Sequence, residues 1–287
     1  MKQDDVMDQA YRVAGRAVRE RIRAERPSDA RELDGVTAPE VAVVTGQYDH
    51  IERVLHATAV PFTRVAPDRA ASLDWDRLQV LLVSCPGMIE PRARERIAPW
   101  VRRGGYLLTT DWALKHLVEP AFPGVLRHNG AQTADTVVRI EGGDAVDDPL
   151  ISGFLESGRE PLWWLESASY PIEVLDPARV RVLVRSGEVG RSWGADPVVV
   201  TFEEGHGTVV HMLSHLYLQR SDVRTTRDAQ PAAAYMAEAG YSEQEVDFCA
   251  AAAPALRASE LLSAASTSRF LSDVVLQRRR RDRGAGR

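Results

Sequence analysis

Three side chains able to do chemistry stand just beyond apolar runs, where a fold built on buried strands would bring them together. Cys85 follows Val80–Val83 in a Ser84-Cys85-Pro86-Gly87 loop, Asp111 follows Tyr106–Thr110, and His215 follows Thr208–Leu213 and Ser214. A thiol beside an imidazole is a nucleophile with its base, and a third polar group can orient that base. Asp49, His50 and His211 add donors that, with Asp111 and His215, could gather zinc from separate loops. None of them forms a tight ligand pair such as H-E-x-x-H, so neither a metal site nor a cofactor is expected. His50 and His56 are six positions apart and share no helix face well. No G-x-G-x-x-G or P-loop pattern occurs at Gly46–Asp49 or Cys85–Gly87, which argues against a nucleotide.

The elements that would position these residues read as strands and helices in alternation. Val41–Val44, Phe62–Val65, Val80–Val83 and Tyr106–Thr110 are short apolar runs of the kind buried on both faces of a parallel sheet. The spacing predicts helices at Ile51–Ala59, from Pro91 to Gly104, and at Ala113–Val118. Pro91 begins its helix where a missing N–H is harmless, and Gly104 ends it. Asp49 and Asp111 are each placed to cap the helix that follows. Further strands are expected at Thr136–Ile140, Leu162–Leu165 and Val180–Arg185. A hairpin pairs Val198–Phe202 with Thr208–Leu213. Gly142–Gly153 reads as a loop. Ser242 and Glu245 form a capping box, and a last helix spans about Ser259 to Arg279.

The ends of the chain have a different texture. Met7, Tyr11, Ala14, Val18 and Ile22 make one apolar seam on a charged helix over residues 4–26. Such a seam usually packs on the domain's own surface; the sharper expectation, taken into the functional reading, is a helix that binds a partner protein or a second copy of the chain. Pro27–Pro39 reads as a linker. The organisation is therefore 1–38, an α/β domain over 39–220, and a helical extension with a basic tail over 221–287.

Composition excludes several function classes. The net charge of -5 on 287 residues argues against a polyanion binder. Lysine occurs only at Lys2 and Lys115, so nearly all of the 36 basic residues are arginine. The Arg278–Arg281 cluster, with Arg283 and Arg287, lacks the interleaved aromatics of a nucleic-acid platform. Cys85 and Cys249 make no disulfide framework, which fits a reducing cytoplasm. The opening stretch MKQDDVMDQAYRVAGRAVRER has no apolar h-region, and no window is apolar enough for a membrane span, so a cytoplasmic protein is expected. Trp163, Trp164 and Trp193 invite a sugar-stacking role, but adjacent strand residues face opposite ways, so one of Trp163 and Trp164 is expected in the core and the other outside.

Three stretches carry a resemblance. Val80–Gly87 followed by Trp100–Leu108 is the first, and Asp148–Phe154 the second, similar to a D-H-P-[IL]-x-x-G-[LF] segment with Asp148 in place of histidine. Gly205–His215, similar to a closing G-x-G-[RT]-V hairpin ending in histidine, is the third. Together, over about residues 41–219, they resemble the class I glutamine amidotransferase-like superfamily, in its non-amidotransferase, trehalose-utilisation-type branch. The resemblance implies a flavodoxin-like, mostly parallel sheet with helices on both faces and a site at the carboxyl ends of the strands. It also implies a cysteine nucleophile on a strand-to-helix elbow, where this chain has Thr110-Asp111-Trp112.

The expected cleft is lined by Gly46, Gln47, Tyr48, Asp49, Ser84, Cys85, Gly87, Thr110, Asp111, Trp112 and His215. With no elbow cysteine, the preferred reading is a catalytically silent domain acting as a protein-binding or scaffold module. A hydrolase or carbohydrate-processing enzyme using Cys85, Asp111 and His215 is the alternative. A small-ligand sensor using the same cleft is a third reading. In the preferred reading Cys85 is a buried structural thiol and His215 a hydrogen-bonded histidine in a closed cleft.

Overall fold

The computed structural model describes residues 3–144, 148–151 and 162–285. Two helices, α1 (Gln3–Glu25) and α2 (Pro27–Asp34), lead into β1 (Val41–Val44), α3 (Ile51–Ala57), β2 (Thr63–Val65), β3 (Val80–Val83), α4 (Pro91–Arg102) and β4 (Tyr106–Thr110). A turn and a π-helical stretch, Leu114–Val118, follow, then α5 (Glu119–Ala121). The middle of the chain holds β5 (Leu126–His128), β6 (Thr136–Arg139), β7 (Glu141–Gly142), β8 (Leu162–Leu165), β9 (Ile172–Val174), β10 (Val180–Arg185) and α6 (Gly187–Trp193). The hairpin β11 (Pro197–Glu204) and β12 (Gly207–Met212) precedes α7 (Thr226–Ala229), α8 (Ala232–Glu238), α9 (Glu243–Ala252) and α10 (Ala258–Ala285).

The central sheet has eight strands in the order β2-β1-β3-β4-β12-β11-β10-β7. β2 through β12 are parallel, and β11, β10 and β7 continue the sheet antiparallel. This is a mixed α/β fold with a large, mostly parallel sheet flanked by helices, compatible with a flavodoxin-like arrangement. The order follows from the residues: every side chain of β1, β3 and β4 is buried, as their unbroken apolar runs require. The chain steps from β1 to β2 in one direction and from β3 to β4 in the other. Right-handed crossovers then place α3 and α4 on opposite faces. On α4, Ala93, Ile97, Trp100 and Val101 point inward. Two smaller antiparallel pairs, β5-β9 and β6-β8, complete the strands.

The structure corrects three expectations outside the sheet. The seam Met7, Tyr11, Ala14, Val18 and Ile22 is buried within the chain itself, because α1 packs on α10 and α3. It is therefore not a surface held out to a partner. Tyr11 fixes the arrangement: its hydroxyl donates to Leu216 O (3.0 Å) and accepts from Leu218 N (2.8 Å), and its ring stacks on Tyr217. Pro27–Pro39 is not a plain linker. Pro27 occupies the first turn of α2, where its missing N–H is tolerated, and a 3₁₀ turn covers Ala38–Glu40. The arginine cluster is tied down as well, with Arg279 3.1 Å from both Glu32 and Glu40 and Arg280 paired to Asp29. The side chains of Arg281 and Arg283, and all of Arg287, lie outside the described residues, as do Asp147, Ser152, Gly153 and Phe154.

Trp163 and Trp164 are both buried, not one in and one out, since β8 is covered on both faces. Trp164 Nε1 donates to Asp135 (2.7 Å), and neither ring offers a sugar platform. Among the described residues no helix is long and apolar enough to cross a membrane.

Candidate functional site

Parallel strands deliver their following loops to one edge of the sheet, and four of those loops meet here. The loops after β1, β3, β4 and β12 contribute Gly46–Asp49, Ser84–Gly87, Thr110–Trp112 and Ser214–His215. Gly46 allows the first two to touch. A Cβ there would lie 1.9 Å from Cys85 O, and the neighbouring Gln47 N–H donates to that oxygen (3.1 Å). At Gly87, φ is +75° and a Cβ would fall 2.4 Å from that of Ala113. Thr110 joins the remaining pieces, accepting from Cys85 N (3.0 Å) and donating to Asp49 Oδ2 (2.7 Å).

At the end of β4 the chain turns through an elbow whose central residue, Asp111, has φ +46°. A left-handed conformation is uncommon for a residue with a side chain, and it marks positions the surroundings over-determine. Its N–H donates to Met212 O (2.8 Å), which holds the elbow against β12. The carboxylate does not cap the next helix. Oδ1 accepts from Tyr170 N (2.8 Å) and Oδ2 from the Ser169 hydroxyl (3.0 Å). Asp49 likewise turns inward to Thr110; His50 holds the cap position of α3 with no side-chain bond. Both cap expectations fail because each carboxylate is hydrogen-bonded inside the buried cluster instead.

His215 lies between two carboxylates. Its Nε2 is 3.4 Å from Asp111 Oδ2 and its Nδ1 is 2.9 Å from Glu166 Oε2. Cys85 Sγ stands 4.0 Å from Asp111 Oδ2. Cys85, Asp111 and His215 are 0%, 2% and 1% exposed, so the cluster is buried. Burial alone would lower the His215 pKa, but Asp111, Cys85, Glu166 and the charge of Asp49 outweigh it and hold the ring well above its ordinary value, as an imidazolium. Burial pushes the Cys85 thiol up, with His215 opposing and Asp111 adding, so the sulfur stays protonated at rest. Burial also raises Asp111 and Asp49, against the pull of His215.

The expected cleft residues thus do come together, though as a closed cluster. Trp112 and Tyr48 form its outer side. Their rings are 5.3 Å apart, Trp112 stacks on Tyr170, and Trp112 Nε1 donates to Ala168 O (2.7 Å). His211 is not part of it. Held inside β12, its Nδ1 is 2.8 Å from Thr109 Oγ1, and burial lowers its pKa to about 3. The residues that sequence reasoning missed are Glu166, Ser169 and Tyr170, on the β8–β9 connection. No spacing or motif ties that stretch to the elbow.

No protein-family model matches the chain, and no curated protein matches it. Among solved structures it is similar to a β-galactosidase from Rahnella sp. R3, at 16% identity and a TM-score of 0.43, covering 63% of this chain and 29% of that one. A cytoplasmic protein from Salmonella typhimurium is similar at 14% identity and a TM-score of 0.44, over 62% of this chain and 88% of that one. A ThuA-like protein from Bacteroides uniformis is similar at 11% identity and a TM-score of 0.44, over 62% and 82%. The chain thus spans under a third of the length of that β-galactosidase. Nothing about activity follows from likenesses of this size.

Proposed function

We propose that this chain is an amidotransferase-like domain without the thiol chemistry its resemblance implies, acting in the cytoplasm as a binding or scaffold module. One observation carries the reading. The elbow position holds Asp111, whose oxygens accept from Tyr170 and Ser169, which stands 3.4 Å from His215 and which is 2% exposed. A nucleophile needs an unengaged attacking atom and room for the reacting carbon beside it. The imidazolium of His215 is also the wrong form for a general base at rest.

The test uses the full chain, because α1 belongs to the core and cannot be removed as a separable arm. Glutamine, glycosides and simple esters should show no turnover above that of the His215→Gln variant. Cys85 should resist iodoacetamide until denaturant is added, since it is both buried and held as the thiol. A second reading draws on the line Asp111–His215–Glu166, which matches nucleophile, base and orienting carboxylate. Hydrolysis that requires His215, with heavy oxygen from labelled water entering Asp111, would establish that reading and remove the first. Binding is tested at Tyr48 and Met88, which are 45% and 63% exposed on the loops around the cluster. Tyr48→Arg with Met88→Glu should remove the partner from cross-links formed in the host. An unchanged pattern would count against these loops.

A further inference from the structure

We propose that Cys85, Asp111 and His215 form a binding site for a thiophilic divalent cation, with zinc the class it fits best. The three donor atoms, a sulfur, a carboxylate oxygen and a ring nitrogen, all lie within 4.8 Å of one another, and all three residues are buried. Tetrahedral zinc has bonds of about 2.0–2.1 Å to nitrogen or oxygen and about 2.3 Å to sulfur, so its ligand atoms sit roughly 3.3–3.7 Å apart. The oxygen–nitrogen edge here is 3.4 Å and the sulfur–oxygen edge 4.0 Å. The sulfur–nitrogen edge lies within 4.8 Å, so closing the three donors on a central ion takes a contraction of up to about 1.3 Å on that edge.

A second observation comes from the ring itself. His215 is 1% exposed, yet neither ring nitrogen is in line with an acceptor for a hydrogen bond, although carboxylates stand within reach of both. A buried imidazole left in that condition is costly unless something else engages it. Nε2 belongs to the three-donor cluster while Nδ1 lies by Glu166 Oε2. That division of the two nitrogens orients metal-bound histidines, with a carboxylate holding the far N–H and fixing the tautomer. Asp111 is supported in the same way by the Ser169 hydroxyl and the Tyr170 N–H.

A metal would bind Cys85 as the thiolate and His215 as the neutral imidazole, so uptake releases protons. The acidic side chains of Asp49, Asp111 and Glu166 gathered at the site suit a cation better than an anion or an apolar ligand. The donors come one each from the ends of β3, β4 and β12, so no sequence spacing could reveal the set.

The experiment reads metal uptake and not turnover, so its outcome is separate from that of the binding-module reading. The full chain is stripped with chelator, then titrated with zinc sulfate or cobalt chloride alone. Wild type should take up one equivalent of zinc, and the cobalt form should show a tetrahedral visible spectrum with a thiolate charge-transfer band in the near ultraviolet. Cys85→Ser should abolish that band. Glu166→Gln should keep it while weakening affinity by about 10- to 100-fold, the usual effect of losing a carboxylate behind a metal-bound histidine. Circular dichroism of each variant separates loss of the site from loss of the fold. Uptake well below one equivalent by folded wild type, or an unchanged cobalt spectrum in folded Cys85→Ser, would overturn the proposal.

Discussion

Two buried carboxylates in this chain differ in a way that separates support from chemistry. Asp273 on α10 is fully buried, and it accepts in-line hydrogen bonds from Arg26 (3.0 Å) and from Arg269 one turn away (2.9 Å). Two guanidiniums face one carboxylate, and the group ties the α1–α2 junction to α10. Asp111 is about as deeply buried, yet there a single imidazolium is shared among Asp111, Glu166 and the nearby Asp49, with its N–H groups off line. Depth alone therefore says little. What marks the elbow is three acidic side chains gathered around one histidine whose ring nitrogens have no in-line partner.

The largest expected effect falls on the satisfied cluster. Asp273→Ala leaves two arginines without their carboxylate and should destabilise the fold by about 3 kcal/mol in urea unfolding, the low end for a broken buried pair because Arg26 keeps some solvent contact. A loss under about 1 kcal/mol would put the two carboxylates on the same footing. Asp111→Asn keeps one oxygen to accept from Tyr170 N, turns its amide NH2 to a Ser169 hydroxyl that can rotate to accept, and removes an acidic group. Its effect on the metal-free protein should stay within about 1 kcal/mol of wild type.

A pH series sharpens the contrast further. The folded pKa of His215 is raised above its unfolded value, so its contribution is fully present below about pH 6.5 and is lost as pH rises through the folded value. In chelator, the stability difference between wild type and His215→Gln should shrink as pH rises above about 6.5. A constant difference would mean that the ring does not carry the charge assigned to it.

The parallel half of the sheet was legible because Val41–Val44, Val80–Val83 and Tyr106–Thr110 are unbroken apolar runs, and few structures bury both faces of so short a strand. The β11–β12 hairpin and the Ser242–Glu245 capping box were equally plain, since each is a local pattern with a local cause. The elbow was harder. Whether Asp111 caps a helix or points into a cluster depends on its backbone angle, which residue type does not reveal. Glu166 was out of reach, because its place beside His215 comes from the packing of a small separate strand pair. The α1 seam announced that one face is buried and left open what covers it. Pro27–Pro39, with Ser28, Asp29, Asp34 and Gly35 between its prolines, read as a linker, and its helix is tied to distant arginines of α10.

The pairing of α1 with α10 also sets a schedule for making the protein. The face of α1 that carries Met7 and Ile22 is covered in part by a helix of 28 residues more than 200 positions later in the sequence. A growing chain on the ribosome can assemble β1, β3 and β4 early, but that apolar face stays uncovered until α10 emerges. A segment synthesised early thus waits for one made much later, and contacts so remote in sequence slow folding and prolong exposure to aggregation. Chains released before α10 is complete should be the ones that chaperones and proteases meet.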